Sequence, residues 1–231
     1  MSAENAGVPS TASVLITLVG VTWRRLFRGR ALWVSALIAS LPVLLTALLQ
    51  SQKHNMEPIF VVMTLVLILL PPMFVASSLG EEIEDRTTTY LWSRPIGRWT
   101  IVVSKLIALA PIAMVLVVGG GFLAYQIETG APPPLTWIGA TAGGSLAISV
   151  MAAGLSVLVP KYGMALSIVY MVVIDLIVGA MPASISNISI TRHVREIGYL
   201  QGDVVQPAIT MCVIAGIWLV VALWRVRRLE S

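Results

Sequence analysis

The chain has 231 residues, of which 57% are hydrophobic and 11% are charged. Soluble domains carry about 45–50% apolar and roughly 25% charged residues, so the composition excludes an ordinary soluble protein. A net charge of +4 would suggest nucleic acid in a soluble chain, but here the basic residues flank long apolar runs and do not indicate it. The only cysteine, Cys212, and the two histidines, His54 and His193, predict no metal site and no disulfide.

The first segment, residues 1–30, is predicted to be a cytoplasmic N-terminus with an amphipathic helix. Between Thr11 and Arg30, Val14, Leu18 and other apolar residues form a stripe that ends among arginines. Such a pattern is typical of a helix that lies in the membrane interface. The alternative is an N-terminal extension of the first span.

Six apolar runs follow, each about 20 residues or longer, the length that an α-helix needs to cross a bilayer. They are Ala31–Ser51, Pro58–Leu79, Thr100–Ile127, Leu135–Val159, Gly163–Pro182 and Gln206–Trp224. We therefore predict an all-α membrane protein in which residues 31–231 form one six-helix transmembrane domain. Pro71 and Pro72 are expected to interrupt the second span, and Gly119 to Gly121 the third, as a static bend or a hinge.

Lysine and arginine mark the cytoplasmic loops of membrane proteins. If the N-terminus is cytoplasmic, 12 basic residues lie inside and 3 outside, and an even number of spans follows. The outer three are Lys53, Arg192 and Arg195. The outer segment 183–205, between spans five and six, is too polar to span. It is expected to form short helices in the outer leaflet or a small external cap.

The segment 80–99, between spans two and three, is the most charged stretch and lies on the predicted cytoplasmic side. Its apolar triplet Tyr90-Leu91-Trp92 lies between acidic and basic residues, which a plain solvated loop does not need. We predict a short helix along the membrane face that docks a cytoplasmic partner through charge and an aromatic anchor. The residues assigned to this contact are Glu81, Glu82, Glu84, Asp85, Arg86, Tyr90, Leu91, Trp92, Arg94, Pro95 and Arg98.

The stretch EEIEDRTTTYLWSRPIGRWTIVVSK, which begins at Glu81, resembles the cytoplasmic loop of ABC-2 type permease subunits. That family shows an acidic residue, a threonine, a leucine-rich turn, an Arg-Pro-(Ile/Val)-x-Arg element and a lysine that opens the next span. Arg86 and Ser104 stand where the family often has glycine, which leaves the subfamily open. The matching positions are Glu84, Thr88, Leu91, Arg94, Pro95, Ile96, Arg98 and Lys105.

The resemblance implies one half of a transporter in the inner membrane of a bacterium. Two copies, expected to be identical, would form the pathway, and two cytoplasmic ATPase subunits would bind ATP and Mg²⁺. The loop after the second span would be the coupling helix, and export would be the direction. The residues that would transmit force there are Glu84, Tyr90, Leu91, Trp92, Arg94 and Arg98.

The chain is expected to have no catalytic site of its own. A phosphate loop needs GxxxxGK[ST], and the nearest string, Gly139–Ser145, lacks the lysine and lies inside a span. The same region has a different use, because Gly139, Gly143 and Ala147 recur every four residues. Small residues at that spacing predict close helix packing in lipid.

Asp175 is the clearest charge inside a predicted span. A carboxylate at that depth either lines a substrate path or subunit seam, or is protonated and hydrogen-bonded to a neighbouring helix. Three other classes of protein stay open: a secondary transporter, an intramembrane enzyme, and a non-transporting scaffold or sensor. The first would need more ionisable residues at mid-membrane, and the second a paired nucleophile and base.

Overall fold

The computed structural model describes residues 11–29, 31–49, 57–84, 99–182, 184–199 and 204–228. Within these ranges the chain is helical and contains no strand. The helices are α1 (Thr11–Arg28), α2 (Ala31–Leu49), α3 (Glu57–Glu84), α4 (Trp99–Thr129), α5 (Leu135–Leu158), α6 (Gly163–Val169), α7 (Leu176–Ala180), α8 (Ile190–Tyr199) and α9 (Val205–Arg228). A π-helical turn, Tyr170–Asp175, joins α6 to α7, and 3₁₀ turns occupy Pro160–Tyr162 and Ser184–Ile188.

Five helical segments in the described ranges are long and apolar enough to cross a membrane. They are Phe60–Gly80, Trp99–Thr129, Leu135–Leu158, Pro160–Ala180 and Val205–Arg228. The pair formed by α1 and α2, bent by 72°, gives a sixth span if it is counted as one unit. The structure therefore confirms an all-helical membrane protein with five, or up to six, spans.

Helix α5 is the centre of the bundle. It contacts α3, α4, α6, α8 and α9, and 72% of its most apolar stretch is buried. The buried hydroxyls of Ser149 and Ser156 are satisfied within the helix, because they donate to carbonyls one turn back, at 2.8 and 2.7 Å. The Ser145 hydroxyl is also buried, but it has no hydrogen-bond partner among the described residues. For convenience we call the end of the bundle where α3 stops and α4 starts the inner end, following the predicted topology.

Spans two and three are continuous helices at the sites where an interruption was predicted, and the predicted bend or hinge at these sites stays a prediction. α3 continues through Pro71 and Pro72, and α4 continues through Gly119, Gly120 and Gly121. The glycines have a tertiary role, since a side chain at Gly120 would overlap the Ala39 backbone of α2 and one at Gly121 would overlap Trp137. Sequence alone cannot separate a packing glycine from a helix-breaking one.

Candidate functional site

The inner end contains the predicted coupling segment, of which the structure describes only the beginning. Helix α3 extends past the apolar span, so the backbones of Glu81, Glu82 and Glu84 belong to its last turns. The remaining predicted coupling residues lie outside the described residues: Asp85, Arg86, Tyr90, Leu91, Trp92, Arg94, Pro95 and Arg98. Their role stays a prediction.

A buried lysine joins the two helices that flank this segment. Lys105, in the second turn of α4, is 3% exposed. Its Nζ donates to the backbone oxygen of Ser78 at 2.7 Å and to the Ser78 hydroxyl oxygen at 2.6 Å. Sequence reasoning placed Lys105 only as a motif position and a basic topology marker, and it did not single out Ser78. The signal that could have identified Lys105 as a buried, hydrogen-bonded residue was its position as the lone cation inside an apolar run.

The opposite side of α3 is packed just as closely at this end. A Cβ atom on Gly80 would lie 3.0 Å from the Pro160 carbonyl oxygen, in the turn that follows α5. One turn earlier, the Ser156 hydroxyl lies 3.5 Å from the Ala76 carbonyl oxygen of α3. The inner end of α3 is therefore fixed between α4 and the end of α5.

Helix α1 is attached to the same helix that contains Lys105. The indole Nε1 of Trp23 donates to the Ala108 carbonyl oxygen of α4 at 2.9 Å. Several apolar side chains of α1, including Ile16 and Phe27, stay exposed. This arrangement suits a helix that packs on the bundle with one face and meets lipid with another.

At the outer end, Asp175 caps a helix that belongs to a later segment. The side chain lies at the end of the π-helical turn and is 3% exposed. Its carboxylate accepts from the backbone N–H groups of Ile190 and Thr191, at 2.7 and 3.0 Å, and from the Ser189 hydroxyl at 3.2 Å. The Thr191 hydroxyl is a fourth donor. A carboxylate at a helix N-terminus satisfies donors that the helix itself leaves unpaired.

The geometry thus gives Asp175 a structural task at the first turn of α8. Four donors converge on an acceptor, which is the arrangement that a buried carboxylate requires. The predicted place of Asp175 in a substrate path or a subunit seam is a separate matter and stays a prediction.

Helix α8 lies on α5 as a short amphipathic cap. It buries Ile190, Val194 and Ile197, whereas Arg195 is exposed and its guanidinium lies 3.5 Å from the Gly179 carbonyl oxygen. Gly144 of α5 makes room for this contact, because a Cβ atom there would overlap Val194. The segment 183–205 therefore contains one ten-residue helix packed on the bundle.

The predicted small-residue stripe of α5 contacts its neighbours unevenly. A Cβ atom on Gly143 would lie 2.7 Å from the Met211 methyl carbon of α9, and Ala147 is buried. Gly139, in contrast, faces nothing within 4 Å. Gly144, one residue off the predicted stripe, makes the tightest approach to α8.

A polar network on α8 was not anticipated from sequence. Arg192 Nε donates to Glu196 Oε1 at 2.6 Å, and His193 Nδ1 lies 3.2 Å from Glu196 Oε2. The other ring nitrogen of His193 is 2.8 Å from the Asn187 carbonyl oxygen. Burial alone would raise the pKa of Glu196, but the hydrogen bonds and charges of Arg192 and His193 outweigh it and lower that pKa. The spacing of three and four residues within a helical turn was the available signal.

A small cavity lies beneath this cap, between α3, α5 and α8. Its volume is about 30 Å³, enough for one or two water molecules. Three threonines, Thr64, Thr141 and Thr191, line it together with apolar side chains and Arg195. Within the described residues no group of three or more His, Cys, Asp or Glu side chains could hold a metal ion.

The helical bundle with its membrane-length apolar segments defines a multi-pass membrane protein. Residues 34–224 match the model of a family described as ABC-2 family transporter protein. The chain therefore belongs to the ABC-2 transporter family, and it is a permease component that is not itself catalytic. Permeases of this family typically work with an ATPase partner. Among curated proteins, none matches the chain significantly.

Proposed function

We propose that this chain is one half of the membrane part of an ATP-driven exporter. Two identical copies form the pathway, and two ATPase subunits dock under the loops that join α3 to α4. ATP and Mg²⁺ bind the ATPase subunits, and this chain binds neither. The motion produced by ATP binding and hydrolysis reaches the spans through the segment 80–99.

The observation that supports this mechanism best is the close packing of the helix ends that flank the segment 80–99. Lys105 bonds α4 to Ser78 of α3, and Gly80 lies against the Pro160 carbonyl. A displacement of the loop would therefore move the inner ends of α3, α4 and α5, because a packed interior transmits strain instead of absorbing it. A solvated loop with no partner would not need such close packing where it joins the two helices.

The exposed apolar surface fits both a bilayer and a second copy. Only 11% of the most apolar stretch of α9 is buried within one chain, and 28% of the segment Pro160–Ala180. The exposed side chains of these helices, such as Val173, Ile217 and Val220, are free to meet lipid or another permease. The 12-to-3 distribution of basic residues supports cytoplasmic termini, and the family resemblance supports the inner membrane of a bacterium. Amphipathic compounds, peptides, lipids or lipid-linked glycans are the cargo classes compatible with such a surface.

The test is purification of the tagged chain from its native membranes in nanodiscs, with mass spectrometry of the proteins that accompany it. We expect a stoichiometric ATPase. It should be lost when Trp92 and Arg94 are both changed to alanine in a chain that still folds.

The matched control changes Trp224 and Arg227 to alanine. This is the same pair of residue types, exposed at the inner end of α9 and outside the loop. The control should keep the ATPase. A wild-type chain that purifies alone even after mild crosslinking would overturn the proposal and favour a secondary transporter or a scaffold.

A further inference from the structure

The ammonium group of Lys105 forms hydrogen bonds to Ser78 that a lysine marking only the cytoplasmic side would not need. A lysine near the end of a spanning helix ordinarily extends its stem toward water, where the charge is solvated without cost. Lys105 instead is 3% exposed and directs Nζ to two oxygen atoms of one residue on the adjacent helix. A buried ammonium is tolerated only where hydrogen bonds replace its hydration.

The position of this bond relative to the loop gives it a mechanical consequence. Ser78 lies six residues before the end of α3 at Glu84, and Lys105 lies six residues after the start of α4 at Trp99. The bond thus closes a ring of chain that contains the whole predicted coupling segment. Opening this ring would let the loop swing about the ends of α3 and α4 without moving either helix.

We infer that Lys105 is a positioning residue for coupling, which holds the inner ends of α3 and α4 together so that the loop moves them as one unit. The inference rests on the proposed function, because it assumes that an ATPase acts on this loop. Lys105 does not contact ATP or cargo. It acts on the spans through Ser78 of α3, and α5 follows through the contact between Gly80 and Pro160.

A purely structural role makes a different prediction from a coupling role. If Lys105 only stabilised the fold, its loss would lower the yield or the melting temperature, while the remaining folded complex would respond to nucleotide normally. If it couples, the folded complex would bind and hydrolyse ATP, yet the outer end would respond less. The decisive readout is therefore the response of the outer end in complexes that are folded and contain the ATPase.

The experiment uses the full permease–ATPase complex in nanodiscs, with Cys212 changed to serine and Leu135 changed to cysteine for a spin label. Leu135 begins α5 at the outer end and is 84% exposed, so the label does not disturb packing. The distance between labels on the two permease copies is measured by pulsed electron resonance, without nucleotide and after trapping with ATP and vanadate. In the otherwise wild-type complex, trapping should change the distance distribution.

The variant Lys105→Met keeps the length of the side chain and removes its charge. We expect it to retain the ATPase and its hydrolysis rate, but to reduce the trapping-induced shift in the ratio of the two distance populations by about two- to thirtyfold, the range that mutations on a coupling route produce. Lys105→Arg, which keeps a cation with a different shape, should recover part of that shift.

Two serine variants keep the inference testable if Lys105→Met does not fold. Ser78→Ala removes the hydroxyl that accepts from Lys105 and leaves the backbone oxygen, so it should reduce the shift partially. Ser77→Ala is its matched control, because the bonds of the Ser77 hydroxyl to described residues stay within α3, at the carbonyls of Met73 and Phe74. It should respond as wild type does.

The outcomes separate the inference from the proposed function. A normal distance shift in folded Lys105→Met or, if that variant does not fold, in Ser78→Ala would overturn the inference alone. Loss of the ATPase from a folded Lys105→Met complex would also overturn it, because Lys105 would then act on docking. If the wild-type complex contains no ATPase or shows no response to trapping, the proposed function fails and the inference fails with it.

Discussion

The two ends of the bundle each bury one charge in a different way. At the outer end, Asp175 accepts four hydrogen bonds, two of them from backbone N–H groups at the start of α8. At the inner end, Lys105 reaches both of its Ser78 acceptors with a flexible four-carbon stem. The Asp175 carboxylate is held by backbone donors at the start of a helix. The Lys105 ammonium group, in contrast, is at the end of a flexible side chain that bridges two long helices.

This difference indicates different tasks. Removing a group on which backbone donors depend leaves those donors buried and unpaired, which is costly. Removing Lys105 affects Ser78 much less, since the Ser78 carbonyl already belongs to the hydrogen-bond ladder of α3. Asp175 is therefore expected to matter for stability, and Lys105 for the transmission of movement.

The largest expected effect comes from Asp175→Ala. The variant leaves the first turn of α8 without its cap, and we expect the free energy of unfolding to fall by about 3 kcal/mol. Thermal unfolding in nanodiscs measures this change. Asp175→Asn should be milder because one amide oxygen still accepts. The comparison between the two ends would be broken if Lys105→Met destabilised the folded chain as much as Asp175→Ala.

The next effect concerns the surface on which the outer cap rests. Gly144→Ala would push Val194 away from α5, and overpacking of this kind costs about 2 kcal/mol. Gly139→Ala is the matched control, since a methyl group there meets nothing within 4 Å. Limited proteolysis between α7 and α8, together with the melting temperature, should separate the two variants. Equal behaviour would mean that α8 does not depend on this contact.

A smaller effect is expected at the inner end from Trp23→Phe. The variant keeps an aromatic ring and loses the bond to the Ala108 carbonyl, so it should lower stability by about 1 kcal/mol. Hydrogen–deuterium exchange of α1 measures whether this helix separates from α4 more often. Unchanged exchange would show that apolar packing alone attaches α1.

The smallest effect is the pH dependence of the α8 network. The pKa of Glu196 is lowered in the folded chain, so its contribution to stability is complete above the ordinary value of 4.5 and disappears as pH falls through the lower, folded value. We expect about 0.5 kcal/mol for this partly exposed group. Melting curves recorded below pH 5 should show a shallower loss for Glu196→Gln than for wild type. Parallel curves would mean that Glu196 does not contribute.

Sequence reasoning located the spans well because apolar length is a local property. The apolar runs of α3, α4 and α5 begin and end within a few residues of the helices. The last turn of α3 extends past its apolar run because it contains charged residues, which a search for apolar length leaves out. The isolated charge of Asp175 was equally visible. Its partners were not, because the three donor residues lie 14 to 16 positions later.

The other contacts that sequence reasoning missed have the same origin. Gly120 and Gly121 were interpreted only as a bend or a hinge. That they make space for α2 and for Trp137 was not anticipated, because such contacts depend on which helices become neighbours. Lys105 was counted among the topology signals for a similar reason. The sequence does not reveal which group a charged side chain contacts until the adjacent helix is known.

The π-helical turn makes the outer end sensitive to chain length. Such a turn corresponds to one residue inserted into an α-helix, and here the N–H of Leu176 reaches back to the Met171 carbonyl. Deleting one residue between Tyr170 and Ile174 would restore an ordinary α-helix and rotate Asp175 by about 100° around its axis. The carboxylate would then point away from α8. Homologous chains that keep the aspartate but lack the extra residue would have to cap this helix by other means.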